Sequence, residues 1–237
     1  MTAATTTLTI PARFNGPPTS ANGGYACGAL ARFLGGTSEV RLHRPPPLER
    51  PLAVQRDAET VAAFDGEHLV ASGRRTRLRI DIPELPTWAE AEAAAQAPAA
   101  TAFHAEHPFP TCFTCGPAHA EGDGLRIFPG PVAGRDVWAL PWTAPAGLAD
   151  GRGVLPVEIV WAVLDCPSSL PVMGRAPIVL GTLTASRIAE IEADKRYLIL
   201  SWPLARDGRK RTSGVAVFDA NEDLVAAASA VWIELRA

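Results

Sequence analysis

No stretch of the 237-residue sequence approaches the ~18 consecutive apolar residues of a membrane-spanning helix. The N-terminus, MTAATTTLTIPARF, has no basic start followed by an apolar run, so a secretory leader is not expected. Cysteine is scarce: four in a chain of this length do not form a disulfide framework. A reduced, cytoplasmic protein is the expectation. Positive charge is not in excess either, since the net charge is −3, which argues against a general nucleic-acid binder. There is no P-loop, no Rossmann fingerprint and no serine nucleophile elbow.

What is present is a soluble globular composition, 47% apolar and 20% charged, with length enough to bury a real core. Tryptophan is plentiful (six) beside two tyrosines. The tryptophans at 138, 142, 161, 202 and 232 are read as core residues. One pattern is written twice. TTTLTIPARF is β-prone, NGPPTSANGG reads as a loop, and GYACGALARFLG is an apolar helical segment stopped by Gly35 and Gly36. Strand-like pieces follow, ending in HLVASGRRTRLRI. From Pro83 a short Ala/Glu helix is mixed with Pro and Gly turns, which suggests a connector. Strand patterns then resume with GLRIFP and RDVWALPW. A second apolar helix, PVEIVWAVLDCPSSL, precedes another run of strands. AAFDGEHLVASGRRTRLRI aligns with AVFDANEDLVAAASAVWIEL: Phe64–Asp65 falls on Phe218–Asp219 and Leu69–Ala71 on Leu224–Ala226. Because the match sits at the same place in the element order, an internal duplication is expected.

A short helix without a polar face must be wrapped. A curved antiparallel sheet around each helix satisfies both elements, and two such units make one sheet. NGGYACGALA and WAVLDCPSS resemble the central-helix motifs of hotdog acyl-CoA thioesterases, including the phenylacetate-pathway type with its HGG…LAD helix. The segment DGRKRTSGVAVFDANEDLVAAASAVWI is similar to hotdog C-terminal strands. The resemblance implies an α+β double hotdog, two curved antiparallel sheets each wrapping a central helix. Half one is placed at 1–97, a connector containing the C-x-x-C pair at 98–122, and half two at 123–237. It also implies an acyl-CoA thioesterase-like hydrolase with no cofactor. The alternative is a non-catalytic hotdog protein that binds acyl-CoA or a small apolar ligand.

Thioester hydrolysis needs donors for the developing oxyanion and a carboxylate that activates water or attacks. A helix N-terminus offers free N–H groups, and glycine there allows close approach. In the resembled family a Gly-Gly turn makes this contact; here it matches Gly23 and Gly24, with Asn22 where His is common. Asn22 can equally be a helix cap. The carboxylate candidate is Asp165, placed in an otherwise apolar helix, where an acid is costly unless paired or used. A plain alternative is an Asp at the helix end facing solvent, with Pro167 breaking the helix. Aligning the two helices sets Gly23 against Val157 and Ala31 against Asp165. Half one therefore has the glycines without the acid, and half two the reverse. Asp165 lies about 12 Å along the axis from its own helix start, too far to serve it. In hotdog pairs the helices lie antiparallel and sites draw on both units. That predicts one working composite site, with Gly24 and Asp165 about 5–8 Å apart around a carbonyl and a water, and one dead mirror site. Ser168 or Ser169 would orient the water. Glu158 reads as a first-turn acid matching the helix dipole. No His lies between His119 and the C-terminus, which argues against dehydratase chemistry in half two.

Arg209 and Lys210 are the candidates for the CoA phosphates, with surface charge as the default reading. The C-x-x-C pair Cys112 and Cys115 has His104, His107 and His119 nearby. Packing of the connector is the favoured reading and no metal is expected. A Zn²⁺ site using Cys112, Cys115, His104 and His107 is the alternative, and a redox pair a further one. The expected partner is an acyl-CoA or related thioester, with neither nucleic acid nor membrane, and a homodimer of double hotdogs as a further assembly.

Overall fold

Two apolar helices organise the molecule, a computed structural model that describes residues 6–174 and 176–235. Helix α1 (Gly23–Ala31) has Asn22 as its cap: the Tyr25 N–H donates to Asn22 Oδ1 at 2.8 Å. Every residue from Gly24 to Ala31 is buried, so no polar face exists to expose. Gly35 and Gly36, both at positive φ, turn the chain away after the helix. Its counterpart beyond the connector, Val157–Ser169, is labelled α4 because two short helices precede it. Pro167 lies inside α4 without ending it; a 3₁₀ turn continues to Val172. The helix-breaking role weighed for Pro167 is therefore corrected: packing on all sides holds the helix although Pro167 cannot donate to the carbonyl four residues back.

The strands are β1 (Thr6–Leu8), β2 (Ser38–Leu42), β3 (Leu52–Arg56), β4 (Thr60–Asp65), β5 (His68–Arg75), β6 (Gly130–Pro131), β7 (Trp138–Thr143), β8 (Ile178–Arg187), β9 (Arg196–Asp207), β10 (Lys210–Phe218) and β11 (Leu224–Glu234). They form a single antiparallel sheet in the order β1-β3-β4-β5-β2-β8-β11-β10-β9-β7-β6. The order repeats about the β2–β8 junction. In each half the first strand after the central helix pairs with the fourth, the fourth with the third, and the third with the second. β1 and β7 then add beside the second. The two aligned hairpins even share a register shift, between Ala63 and Phe64 in one and between Val217 and Phe218 in the other. The two expected sheets thus merge through β2 and β8 into one continuous surface.

The inner face of the sheet and the two helices form the main core. A second apolar cluster lies on the other face of half two, with Ala139, Leu200, Trp202 and Ala216 among its members. Helix α2 (Trp88–Ala95) covers it with Ala91 and Ala94, and α3 (Pro98–Ala105) follows. The alternation in RTRLRI was expected to continue a strand, yet β5 stops at Arg75. Leu78, Ile80, Ile82 and Leu85 instead pack extended against this outer cluster. The period of two is real, but it serves packing and not sheet pairing. GLRIFP is likewise not a strand. Arg126 has φ of 50°, which breaks the extended backbone, although Leu125 and Ile127 still donate to the carbonyls of Phe113 and Thr114.

Candidate functional site

Helices α1 and α4 cross antiparallel in near backbone contact. A Cβ on Gly24 would lie 2.4 Å from Asp165 Cβ and 2.5 Å from the Trp161 carbonyl oxygen. One on Gly28, a turn later, would lie 2.7 Å from Glu158 Cα. Two glycines four apart make one smooth stripe on α1, and α4 seats on it. Gly23 faces the Leu180 side chain instead.

This crossing places Asp165 on the start of the opposite helix. The Gly24 N–H donates to Asp165 Oδ2 at 2.9 Å. Asp165 is 2% exposed, and its Oδ1 has no hydrogen-bond partner among the described residues. Burial pushes its carboxyl up to about 7, opposed by the Gly24 amide. The expected gap for a carbonyl and a water between the two groups is corrected: they are in direct contact. A buried carboxylate takes the free N–H of a helix start when nothing else fills it. At the mirror position, Glu158 in the first turn of α4 faces Arg32 at 3.8 Å, and Ala31 supplies no acid.

The connector closes the site from outside. The Phe113 N–H donates to the Asn15 carbonyl, and Thr114 Oγ1 donates to the Ala162 carbonyl at 3.1 Å. Phe113 is fully buried and meets Phe14 edge-on at 4.9 Å, while Phe14 stacks on Tyr25 at 3.9 Å. The sulfurs of Cys112, Cys115 and Cys166 gather beside Asp165, all within 4.8 Å of one another. Asn22 Nδ2 approaches Cys166 Sγ at 3.7 Å and Cys112 Sγ at 3.9 Å. Donation from the other two thiols and from backbone amides draws the Cys112 thiol well below its ordinary range, while Cys115 and Cys166 are held up. His107 Nε2 lies 3.2 Å from Cys115 Sγ, and burial lowers its pKa.

The remaining candidates are spread more widely. Ser168 Oγ donates to the Asp165 main-chain carbonyl at 2.6 Å and accepts from Trp232 Nε1 at 3.0 Å. Ser169 Oγ donates to the Cys166 carbonyl at 2.7 Å. Both hydroxyls thus serve the backbone and the core. Arg209 and Lys210 sit on the β9–β10 hairpin, where Arg209 donates to the Glu234 carbonyl at 3.1 Å. His104 stays apart from the sulfurs, its ring centroid 4.1 Å from that of Phe128. Cys166 is the group member that sequence reasoning passed over. Its place next to Asp165 was visible, but a spacing of 112, 115 and 166 matches no standard motif.

No family model matches the chain, and no curated protein matches it. Solved structures do. A tesB protein of Mycobacterium avium subs paratuberculosis covers 96% of this chain and 91% of its own, with TM-score 0.61 and 12% identity. The structure of a putative thioesterase II from Thermobifida fusca covers 97% and 92%, with TM-score 0.58 and 13% identity. A hot dog fold protein of unknown function from Alicyclobacillus acidocaldarius covers 98% and 93%, with TM-score 0.55 and 9% identity. At these identities the likeness carries the fold, and the chain is an α+β double hotdog.

Proposed function

We propose that the chain hydrolyses an acyl-CoA or related thioester at one composite site built from both halves. The observation that carries this reading is Asp165 of α4 resting on the Gly24 amide of α1, whereas Ala31, the counterpart of Asp165 on α1, offers no carboxylate to the start of α4. In the reaction the thioester carbonyl replaces the carboxylate on the Gly24 N–H, which then stabilises the oxyanion. The displaced Asp165 activates water or attacks the carbonyl carbon. Asn22 holds the helix start in place, Ser168 and Ser169 fix the end of α4, and Arg209 and Lys210 take the CoA phosphates. Because Asp165 is buried, the connector around Phe113 has to part before substrate enters. The tesB protein and the putative thioesterase II share the fold, which supports the reading by analogy. None of the four cysteines is in a disulfide, which suits a reducing cytoplasm.

A second reading has its own observation. The Gly24–Asp165 contact is sealed and part of the helix packing, as a non-catalytic ligand-binding hotdog with a structural Asp165 would have it. A panel of short, long and aromatic acyl-CoAs separates the two. The expected result is hydrolysis of at least one, reduced about 10²-fold or more in Asp165→Asn. Binding without turnover, or an Asp165→Asn enzyme at full rate, overturns the catalytic reading.

A further inference from the structure

We infer that Cys112, Cys115 and Cys166 bind one Zn²⁺ ion as thiolates, fastening the connector to α4. Cys112 Sγ and Cys166 Sγ are 3.7 Å apart, and Cys115 Sγ is within 4.8 Å of both. A tetrahedral zinc with sulfur bonds of about 2.3 Å has edges of ~3.8 Å, so the group is already near binding geometry.

The turn that carries two of the ligands is shaped for a charged sulfur. The backbone amides of Thr114 and Cys115 favour negative charge on the Cys112 sulfur, and the Gly116 N–H donates to the Cys112 carbonyl at 2.7 Å. A Cβ on Gly116 would fall 2.5 Å from both Cys112 N and O, so C-x-x-C-G closes only with glycine in last place. Two side chains also aim donors at the sulfurs. Asn22 has Oδ1 occupied by the Tyr25 N–H, which leaves its NH₂ towards Cys112 and Cys166. His107 accepts the Phe109 N–H on Nδ1 at 3.0 Å, so its proton sits on Nε2, facing Cys115. That tautomer makes His107 a supporting donor and not a fourth ligand. Asp165 Oδ2, 4.0 Å from Cys166 Sγ, is the acceptor in the group.

Three buried sulfurs spaced as corners of one tetrahedron, with donors aimed at them, fit a cation that takes them as thiolates when it binds. Three soft ligands select zinc over magnesium or calcium. On binding, each thiol releases its proton to solvent, and the fourth position takes water. Cys112 and Cys115 belong to the connector and Cys166 to α4, so the ion would tie the two together beside the Gly24–Asp165 contact. This inference does not rest on thioester hydrolysis.

The test is metal content and thiol state of the full chain, purified in reductant without chelator. About one zinc per chain is expected, and Co²⁺ in its place should give a thiolate-to-cobalt charge-transfer band. Cys166→Ser should lose the metal, whereas His104→Ala should keep it. Reduced apo protein should gain roughly 5–10 °C in Tm at free Zn²⁺ a hundredfold above Kd. The inference is overturned if the reduced wild type neither retains nor takes up zinc. Copper in place of zinc, a disulfide among the three cysteines under these conditions, or undiminished zinc affinity in Cys166→Ser would overturn it too. If Cys166→Ser fails to fold, the wild-type titration decides alone.

Discussion

Gly24 has no room for a methyl group. The Trp161 carbonyl and Asp165 Cβ stand where one would go, and neither is the free end of a flexible side chain. Gly24→Ala keeps its N–H, so a residue serving only as an amide donor would tolerate the change. The packing instead predicts a loss of about 1–3 kcal/mol from forcing the helices apart. Urea denaturation measures it, and an unchanged midpoint would refute this account of the helix crossing. Asp165 is tested the same way. Asp165→Asn retains an oxygen for the Gly24 N–H, whereas Asp165→Ala strands that buried donor. The alanine variant should be less stable than the asparagine variant by about 1–3 kcal/mol.

Among elements, α2 has the most local explanation. Thr87 and Glu90 form a reciprocal capping box, with the Glu90 N–H on Thr87 Oγ1 at 3.2 Å and the Thr87 N–H on Glu90 Oε2 at 2.7 Å. Thr87→Ala should cost about 0.5–2 kcal/mol in chemical denaturation. The helix matters because it covers apolar sheet surface that half one does not have. The corresponding face of β2 to β5 presents Glu39, Arg41, Arg56, Asp57 and Arg74 around an open depression. One topology is thus used twice with opposite outer surfaces: charged in half one, apolar and covered in half two. The C-x-x-C segment was legible as a turn, yet its zinc-ready partner Cys166 was not, because α4 brings that sulfur in from 54 residues away.

The whole molecule can be read through its two tyrosines. Burial pushes the Tyr25 phenol up to about 12 and raises that of Tyr197 as well. A free tyrosine is half ionised near pH 10. The native protein should therefore show little tyrosinate absorbance at pH 10, and the denatured chain should show it clearly. Between pH 10 and 12 the folded state holds protons that the unfolded state has lost. Stability is thus fully present below pH 10 and falls as pH rises towards 12. Native tyrosinate titrating at the free value would place Tyr25 in solvent, outside the Phe14–Phe113 group.

The sequence by itself determined the parts that depend on short windows. Two helices without polar faces, the Asn22 cap, the Gly35–Gly36 stop and the twin Phe-Asp hairpins are properties of residues within a few positions of each other. Those determine the repeat, and the repeat determines the double hotdog. The tertiary structure alone decided what meets. A Gly-Gly pair before a helix reads as a turn. Its strictest requirement comes from the backbone of α4, and its N–H is taken by a carboxylate 141 residues away. Alternation in RTRLRI encodes one face to bury, but which surface receives it depends on the cover half two needs. Periodicity states how much apolar surface an element carries; the depth at which two helices cross, and hence which buried acids and thiols touch, is fixed only when the whole sheet closes around them.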